Sequence, residues 1–334
     1  MSGRLAALVA LALAGCTRLP VLEPAGPFAA RLRELILDFT LVSALVWIAV
    51  VLALAVAAFR RRRAAPPDPA LHPDARAEHR LHLAIAAAVA ATVLVLVGLN
   101  VASFATDRAL STDEGKSALT IRVTGHQWWW EVTYVHERAD QTLTTANEIH
   151  IPVGQPVSLA LQSADVIHSF WVPELAGKKD LIPGHPNTLV LQADRAGEYL
   201  GQCAEFCGLQ HARMRLKVIA VPPSAFEAWR QRQLLPATVP ETASARRGQE
   251  VFLSQPCVMC HTVRGTPAGG KVAPDLTHLA SRTTLAAGTL ANTRGNLAAW
   301  ISDAQGVKPG AHMPSLQIAP ADLHPLLDYL EQLQ

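Results

Sequence analysis

The apolar residues of this chain fall into three regimes with different periods. Residues 39–59 and 83–106 form two uncharged runs, and a helix needs about 20 such residues to cross a bilayer core. Between them lie Arg60, Arg61, Arg62, Arg63, Arg76 and Arg80, against Asp68, Asp74 and Glu78. A short arginine-rich loop stays in the cytoplasm, so both chain ends are expected outside. The pattern predicts a two-helix transmembrane hairpin within residues 17–106, with Glu78 read as a loop charge. Ahead of it, residues 1–16 hold Arg4 and a short apolar stretch. That stretch is too short to span a bilayer and has the form of an export signal.

Beyond residue 106 the period shortens. β-rich runs occupy 119–124, 128–135, 148–151, 157–161, 187–192 and 214–221, separated by turn residues such as Pro152, Gly154, Pro183 and Gly184. Short strands at this spacing predict a β-sandwich over residues 107–222. Pro222 and Pro223 precede a helical pattern, with Ser224 and Glu227 spaced as a capping box, and Pro236 and Pro240 end it. Residues 223–243 are therefore expected to be a semi-rigid helical linker. From 244 to 334 the period is helical, with elements near 243–253, 296–304 and 320–333, predicting a separate all-α domain. A domain of that size has a thin core, which a covalently held cofactor would reinforce.

Composition agrees with a chain divided between lipid and water. Of the 334 residues 17% are charged, where about a quarter is usual in soluble proteins. The 50% hydrophobic content excludes disorder throughout. A net charge of +2 lacks the basic excess of a nucleic-acid binder. The five cysteines, Cys16, Cys203, Cys207, Cys257 and Cys260, are an odd number for an exported protein. Cys16 closes Leu13-Ala14-Gly15-Cys16, which resembles a bacterial lipoprotein cleavage box. That resemblance implies a lipidated Cys16, with an ordinary signal peptide cut nearby as the alternative.

Candidate chemistry clusters in two places. Cys203, Cys207, His211 and Met214 lie within a dozen residues, and His168 stands upstream in Asp165-Val-Ile-His168-Ser-Phe-Trp-Val-Pro173. Soft sulfur with imidazole selects copper, zinc or iron–sulfur chemistry. A Cys203–Cys207 disulfide, a zinc site and plain core packing are the alternatives. The stretches His168-Ser-Phe-Trp-Val-Pro and Cys203-Ala-Glu-Phe-Cys207-Gly-Leu-Gln-His211-Ala-Arg-Met214 resemble the copper-A signature of cytochrome c oxidase subunit II. Gly125-His-Gln-Trp128-Trp-Trp130 resembles the aromatic stretch of that family. The resemblance implies a cupredoxin-like β-sandwich with a dinuclear copper A. In it Cys203 and Cys207 bridge the metals, His168 and His211 each bind one, Met214 is a weak axial ligand, and Glu205 ligates through its carbonyl. It further implies that the Glu205 side chain reaches a magnesium site at the subunit I interface, and that Trp128 is the surface residue where electrons come in. Trp129 and Trp130 are expected in core or interface. The Ile-Trp-Thr segment that often follows a Glu near the start of the family's second helix is missing after Glu78.

The second cluster is Cys257-Val-Met-Cys260-His261, the attachment pattern of a c-type haem, with a redox dithiol as the alternative. The two thiols would bind the haem vinyls and His261 the iron. Four methionines occur in the chain. Met1 goes with the signal, Met214 falls in the first cluster and Met259 inside the attachment loop, which leaves Met313 as distal ligand, with His312 and His278 as rivals. A Met/His pair raises a haem potential. The region resembles a class I cytochrome c, through Gly248 and Phe252 in the first helix, Leu326 and Tyr329 in the last, and Pro274-Asp-Leu-Thr in the loop whose Pro carbonyl accepts the proximal His N–H.

The whole order resembles subunit II of a bacterial caa3-type oxidase. This implies haem-copper subunit I and subunit III as partners, a cytochrome c or bc1-type donor, membrane lipid and no nucleic acid. It also implies a multi-pass inner-membrane location with both metal-bearing domains on the periplasmic face. A copper-A-type nitric oxide reductase small subunit and a non-enzymatic membrane-anchored electron carrier are the alternatives. Residues 107–221 carry 10 basic and 13 acidic residues and residues 244–334 carry 7 and 6. Net charges of −3 and +1 predict only a mild salt dependence of transfer between the two domains.

Overall fold

The computed structural model describes residues 20–63, 75–111 and 119–334. The expected signal and Cys16 lie outside the described residues. Two compact units separate, a helical pair and the remainder.

Helix α1 runs over Pro27–Arg63 and α2 over Ala75–Ser111. Both extend beyond the apolar runs, because backbone hydrogen bonding continues past the point where charge returns. Glu78 therefore sits in the first turn of α2 and not in a loop. The pair is antiparallel, with Arg31 donating to the Ala109 carbonyl at 3.0 Å. Leu41, Leu45, Trp47, Leu94 and Phe104 are exposed. Thr40 and Thr92 donate to carbonyls four residues back, which satisfies their hydroxyls within the helix.

The β domain holds two five-stranded sheets. The first has the order β3-β2-β1-β5-β8, and the second β4-β10-β9-β6-β7. The strands are β1 (Leu119–His126), β2 (Trp129–Tyr134), β3 (Leu143–Ala146), β4 (Glu148–Pro152), β5 (Val157–Ser163), β6 (His168–Trp171), β7 (Lys179–Leu181), β8 (Asn187–Leu191), β9 (Gly197–Cys203) and β10 (Arg215–Val221). Inward positions alternate with outward ones, as Leu216, Val218 and Ala220 do on β10. Ile121, Val123, Trp130 and Val132 of the other sheet are likewise buried. Burying each large side chain contributes about 1.5–3 kcal/mol. The result is a cupredoxin-like β-sandwich.

Helix α3 (Pro223–Leu234) starts at the proline pair, and no side chain caps it. The Ser224–Glu227 capping box does not form, because Pro223 already occupies the first turn and draws Ser224 inside it. Phe226 and Trp229 are buried, and Trp229 stacks on His150 with ring centroids 4.1 Å apart. The segment expected as a linker is packed at both ends. Gln233 donates to Ser281 at 3.3 Å, Arg264 donates to the Leu234 carbonyl at 3.1 Å, and Ala237 N–H donates to Arg264 at 2.9 Å.

The C-terminal domain contains α4 (Ala243–Ser254), α5 (Cys257–Cys260), α6 (Arg294–Ser302), α7 (Ala304–Val307) and α8 (Pro320–Leu330). Thr242 and Thr293 cap α4 and α6 by accepting from Ala245 N–H and Asn296 N–H. Helices α4 and α8 cross at Gly248, where a Cβ would stand 1.9 Å from the Pro325 carbonyl oxygen. Only glycine permits that approach, and it brings Phe252 onto Tyr329 and Leu326 in the core.

Candidate functional site

Sheet register assembles the first centre. Strands β6 and β9 pair with Phe170 opposite Cys203, so His168 and Cys203 reach the same end of one sheet. The chain then turns through residues 204–214, and Cys203 N–H donates to the Met214 carbonyl at 2.9 Å. His168, Cys203 and Cys207 are buried, with ligand atoms within 4.8 Å of one another. The two sulfurs are 3.7 Å apart, His168 Nδ1 is 3.9 Å from Cys203 Sγ, and His211 Nδ1 is 3.6 Å from Cys207 Sγ. Met214 Sδ lies 3.8 Å from Cys207 Sγ, and the Glu205 carbonyl lies 3.1 Å from Cys203 Sγ. Six soft or carbonyl donors thus converge. The sulfurs stand well beyond the ~2.05 Å of a disulfide and close enough to share metals at bonds of about 2.3 Å. The Glu205 carboxylate points away, 3.8 Å from Lys178 Nζ.

Two adjacent thiols cannot both ionise without help. The hydrogen bond from Cys207 pulls the Cys203 thiol well down, and the same contact pushes Cys207 up. A bound cation is what would hold both as thiolates. Burial opposes charge on His168, but Cys203 and Asp165 outweigh it and raise its pKa.

Asp165 is the residue the sequence reading passed over. One of its oxygens lies 2.7 Å from His168 Nε2, and its carboxylate accepts from Gln127 and Val166 N–H at 2.6 Å each. Carboxylate–histidine pairs of this kind fix ring orientation behind a metal ligand, and the spacing of three residues from His168 was the available signal. A Cβ at Gly125 would stand 2.7 Å from the His168 ring, so the glycine lets that ring sit against β1.

The second centre lies on the helical domain. Cys257 and Cys260 bound the single turn of α5 and are free thiols. His261 Nδ1 donates to the Pro274 carbonyl at 2.7 Å, which leaves Nε2 available for iron. Burial lowers the pKa of His261, favouring the neutral form that ligates. Met313 packs against the domain core. His312 is exposed and faces Trp128, with centroids 6.3 Å apart. His278 is 5% exposed, and both ring nitrogens face chain carbonyls. Its ring is held between the carbonyls of Gln334 and Leu235.

Trp128 also departs from expectation. It is 8% exposed, and its indole N–H donates to the Cys207 carbonyl at 2.9 Å. Segments of the helical domain cover it. Gln210 donates to the Pro309 carbonyl at 2.6 Å, Arg213 donates to the Val307 carbonyl, and the buried Glu148 accepts from Thr283 N–H and hydroxyl at 2.8 and 2.6 Å. Arg282 donates to Thr145 at 3.3 Å and to the Asp275 carbonyl beside Pro274. Trp130 is fully buried, and Trp129 stacks on His126.

Fold and sites together define a membrane-anchored electron-transport protein, a thiolate-bearing cupredoxin joined to a cytochrome c domain. The family of cytochrome c oxidase subunit II periplasmic domains matches residues 135–221, and the cytochrome c family matches residues 245–334. Cytochrome c oxidase subunit 2 of Alkalihalophilus pseudofirmus is 33% identical over 332 residues, covering 97% of this chain and 94% of that protein. The Bacillus subtilis subunit is 29% identical, covering 99% and 96%. The periplasmic domain of the Bradyrhizobium japonicum subunit II superposes with a TM-score of 0.33 at 30% identity, over 35% of this chain and 94% of that one. This chain belongs to the cytochrome c oxidase subunit 2 family. It is therefore a subunit of a cytochrome c oxidase, with its C-terminal fusion fitting the caa3 type. The two matched domains imply copper A and haem c, and the family places these domains in the periplasm.

Proposed function

We propose that this subunit passes electrons from a cytochrome c or bc1-type donor through its own c-haem and dinuclear copper A to haem a in subunit I. There oxygen is reduced to water with coupled proton pumping. Cys257 and Cys260 would hold the haem, with His261 and Met313 available to its iron. Cys203, Cys207, His168, His211, Met214 and the Glu205 carbonyl would hold the coppers, and both groups would supply one-electron redox chemistry. Trp128 is the point where electrons reach the copper loop, and they arrive from the attached domain that covers it. The Glu205 side chain contributes to a magnesium site facing subunit I. Both α1 and α2 span the bacterial inner membrane, Cys16 adds a lipid anchor, and subunit III completes the partners.

The protein's part is positional. A rigid sandwich holds the donors in one geometry for both redox states, Asp165 fixes the His168 ring, and the Pro274 carbonyl fixes His261. The observation that carries this reading is the pair of buried sulfurs 3.7 Å apart with two imidazoles and a thioether around them. The test is metal and haem stoichiometry of the complex isolated with its partners. A two-copper thiolate spectrum and one covalent haem are expected in this subunit. Zinc, or a Cys203–Cys207 disulfide in copper-replete protein, would overturn it.

A further inference from the structure

A buried lysine amine sits at the centre of the junction between the two metal-bearing domains. Lys308 is 3% exposed. Its Nζ donates to the carbonyls of Trp128 at 2.7 Å, Arg213 at 2.9 Å and Ala286 at 3.1 Å. The three backbone carbonyls match the three N–H donors of the protonated amine, while burial pulls its pKa down to about 7 from 10.5. Burying such a group is costly unless every donor is satisfied, which marks the arrangement as a specific seat.

The acceptors come from three separate places. Trp128 carries the indole that reaches the Cys207 carbonyl. Arg213 immediately precedes Met214 on the ligand loop. Ala286 belongs to the helical domain, in a turn where Ala286, Ala287 and Gly288 all have positive φ, at 52°, 56° and 73°. Two successive alanines in the left-handed region persist only where surroundings hold them. The β domain supplies that hold, since Arg215 N–H donates to the Ala287 carbonyl at 3.0 Å.

We infer that Lys308 is the positioning residue for transfer between the two domains, clamping the His312–Met313 end of the helical domain against Trp128 and the copper-ligand loop. This rests on the function proposed above. In that step one electron would pass from a haem held at His261 to a metal pair held at Cys203 and Cys207, the first giving up one electron and the second gaining it. No bond is made or broken and no proton moves, so a side chain outside the ligand sets can act here by fixing separation and orientation.

The test uses the full chain assembled in its oxidase. Lys308→Met keeps the stem and removes the amine donors. The haem and copper spectra are expected to stay as in the unmodified protein. Haem-to-copper transfer after photochemical reduction should slow by about tenfold or more, because the three contacts that fix separation and orientation are lost together. Hydrogen exchange at residues 127–130 and 305–311 should quicken. Alkylammonium added to Lys308→Ala should restore part of the rate. Amine labelling of the unmodified protein, read by mass spectrometry, decides the matter even if neither variant assembles, because Lys308 should react far more slowly than the exposed Lys178 and Lys271. A Lys308→Met protein with unchanged rate and exchange overturns the inference, and so does a Lys308 that labels as fast as Lys271. No haem-to-copper transfer in the unmodified protein overturns both this inference and the functional reading, and is distinguishable by that control alone.

Discussion

Asp165→Asn is the sharpest probe of the copper-ligand scaffold. The Asp165 carboxylate receives three N–H groups, from Gln127 on one oxygen and from Val166 and the His168 ring on the other. Asparagine has nearly the same shape but one oxygen and one amide NH2. Whichever way it turns, its NH2 must face an N–H, either that of Gln127 or those of Val166 and His168. At least one charge-assisted hydrogen bond is lost, worth about 1.5–3 kcal/mol. The side chain is 27% exposed, so solvent recovers part of that and the lower end applies. Because the lost partner orients a ligand, the effect should appear as a fall of roughly 10- to 100-fold in copper affinity. Competition against a copper chelator on the full chain measures it, with circular dichroism checking that the sandwich is intact. An affinity change under about threefold, less than 1 kcal/mol, would refute the claim that Asp165 holds the His168 ring.

Three further outcomes are expected. Met313→Leu should leave the haem covalently attached and lower its potential, read by redox titration; an unchanged potential points to His312. Burial lowers the His150 pKa to about 4 from 6.5, so between these values the unfolded chain binds more protons. The β domain should therefore lose stability as pH falls from 6.5 towards 4, on the order of 3 kcal/mol in full. His150→Phe, which keeps the stack on Trp229, should flatten that slope in urea titrations, and an unaltered slope refutes the assignment. Gly248→Ala must push α4 off the Pro325 carbonyl and should cost about 1–3 kcal/mol or more, seen as a fall of several degrees in the melting temperature of the helical domain; an unchanged melting temperature contradicts the crossing.

Chemistry that is local in the chain was legible from residues alone. The ligands Cys203, Cys207, His211 and Met214 share one loop, and Cys257, Cys260 and His261 share one turn. Their spacing displays the donor types before any folding is known. The membrane runs were equally plain, because lipid demands a continuous apolar stretch. Strands β3, β6, β7 and β9 were harder to see. In β6, His168, Ser169 and Phe170 are all buried, and β9 interleaves glycine and polar residues, so neither shows the two-residue period that marks a half-buried strand. The elements that carry ligands are the ones whose residues are chosen for something other than alternation.

What only the tertiary structure decided is how the two domains meet. The sequence around Lys308 reads as an ordinary polar turn before Pro309 and Gly310. Its acceptors lie 180, 95 and 22 residues away. They are main-chain carbonyls, which every residue possesses and no side-chain pattern announces. For the same reason Trp128 reads from sequence as a surface residue, and only folding shows the helical domain laid over it. A buried amine bound by backbone leaves no complementary charge elsewhere in the chain to find, so this junction could be located only in three dimensions.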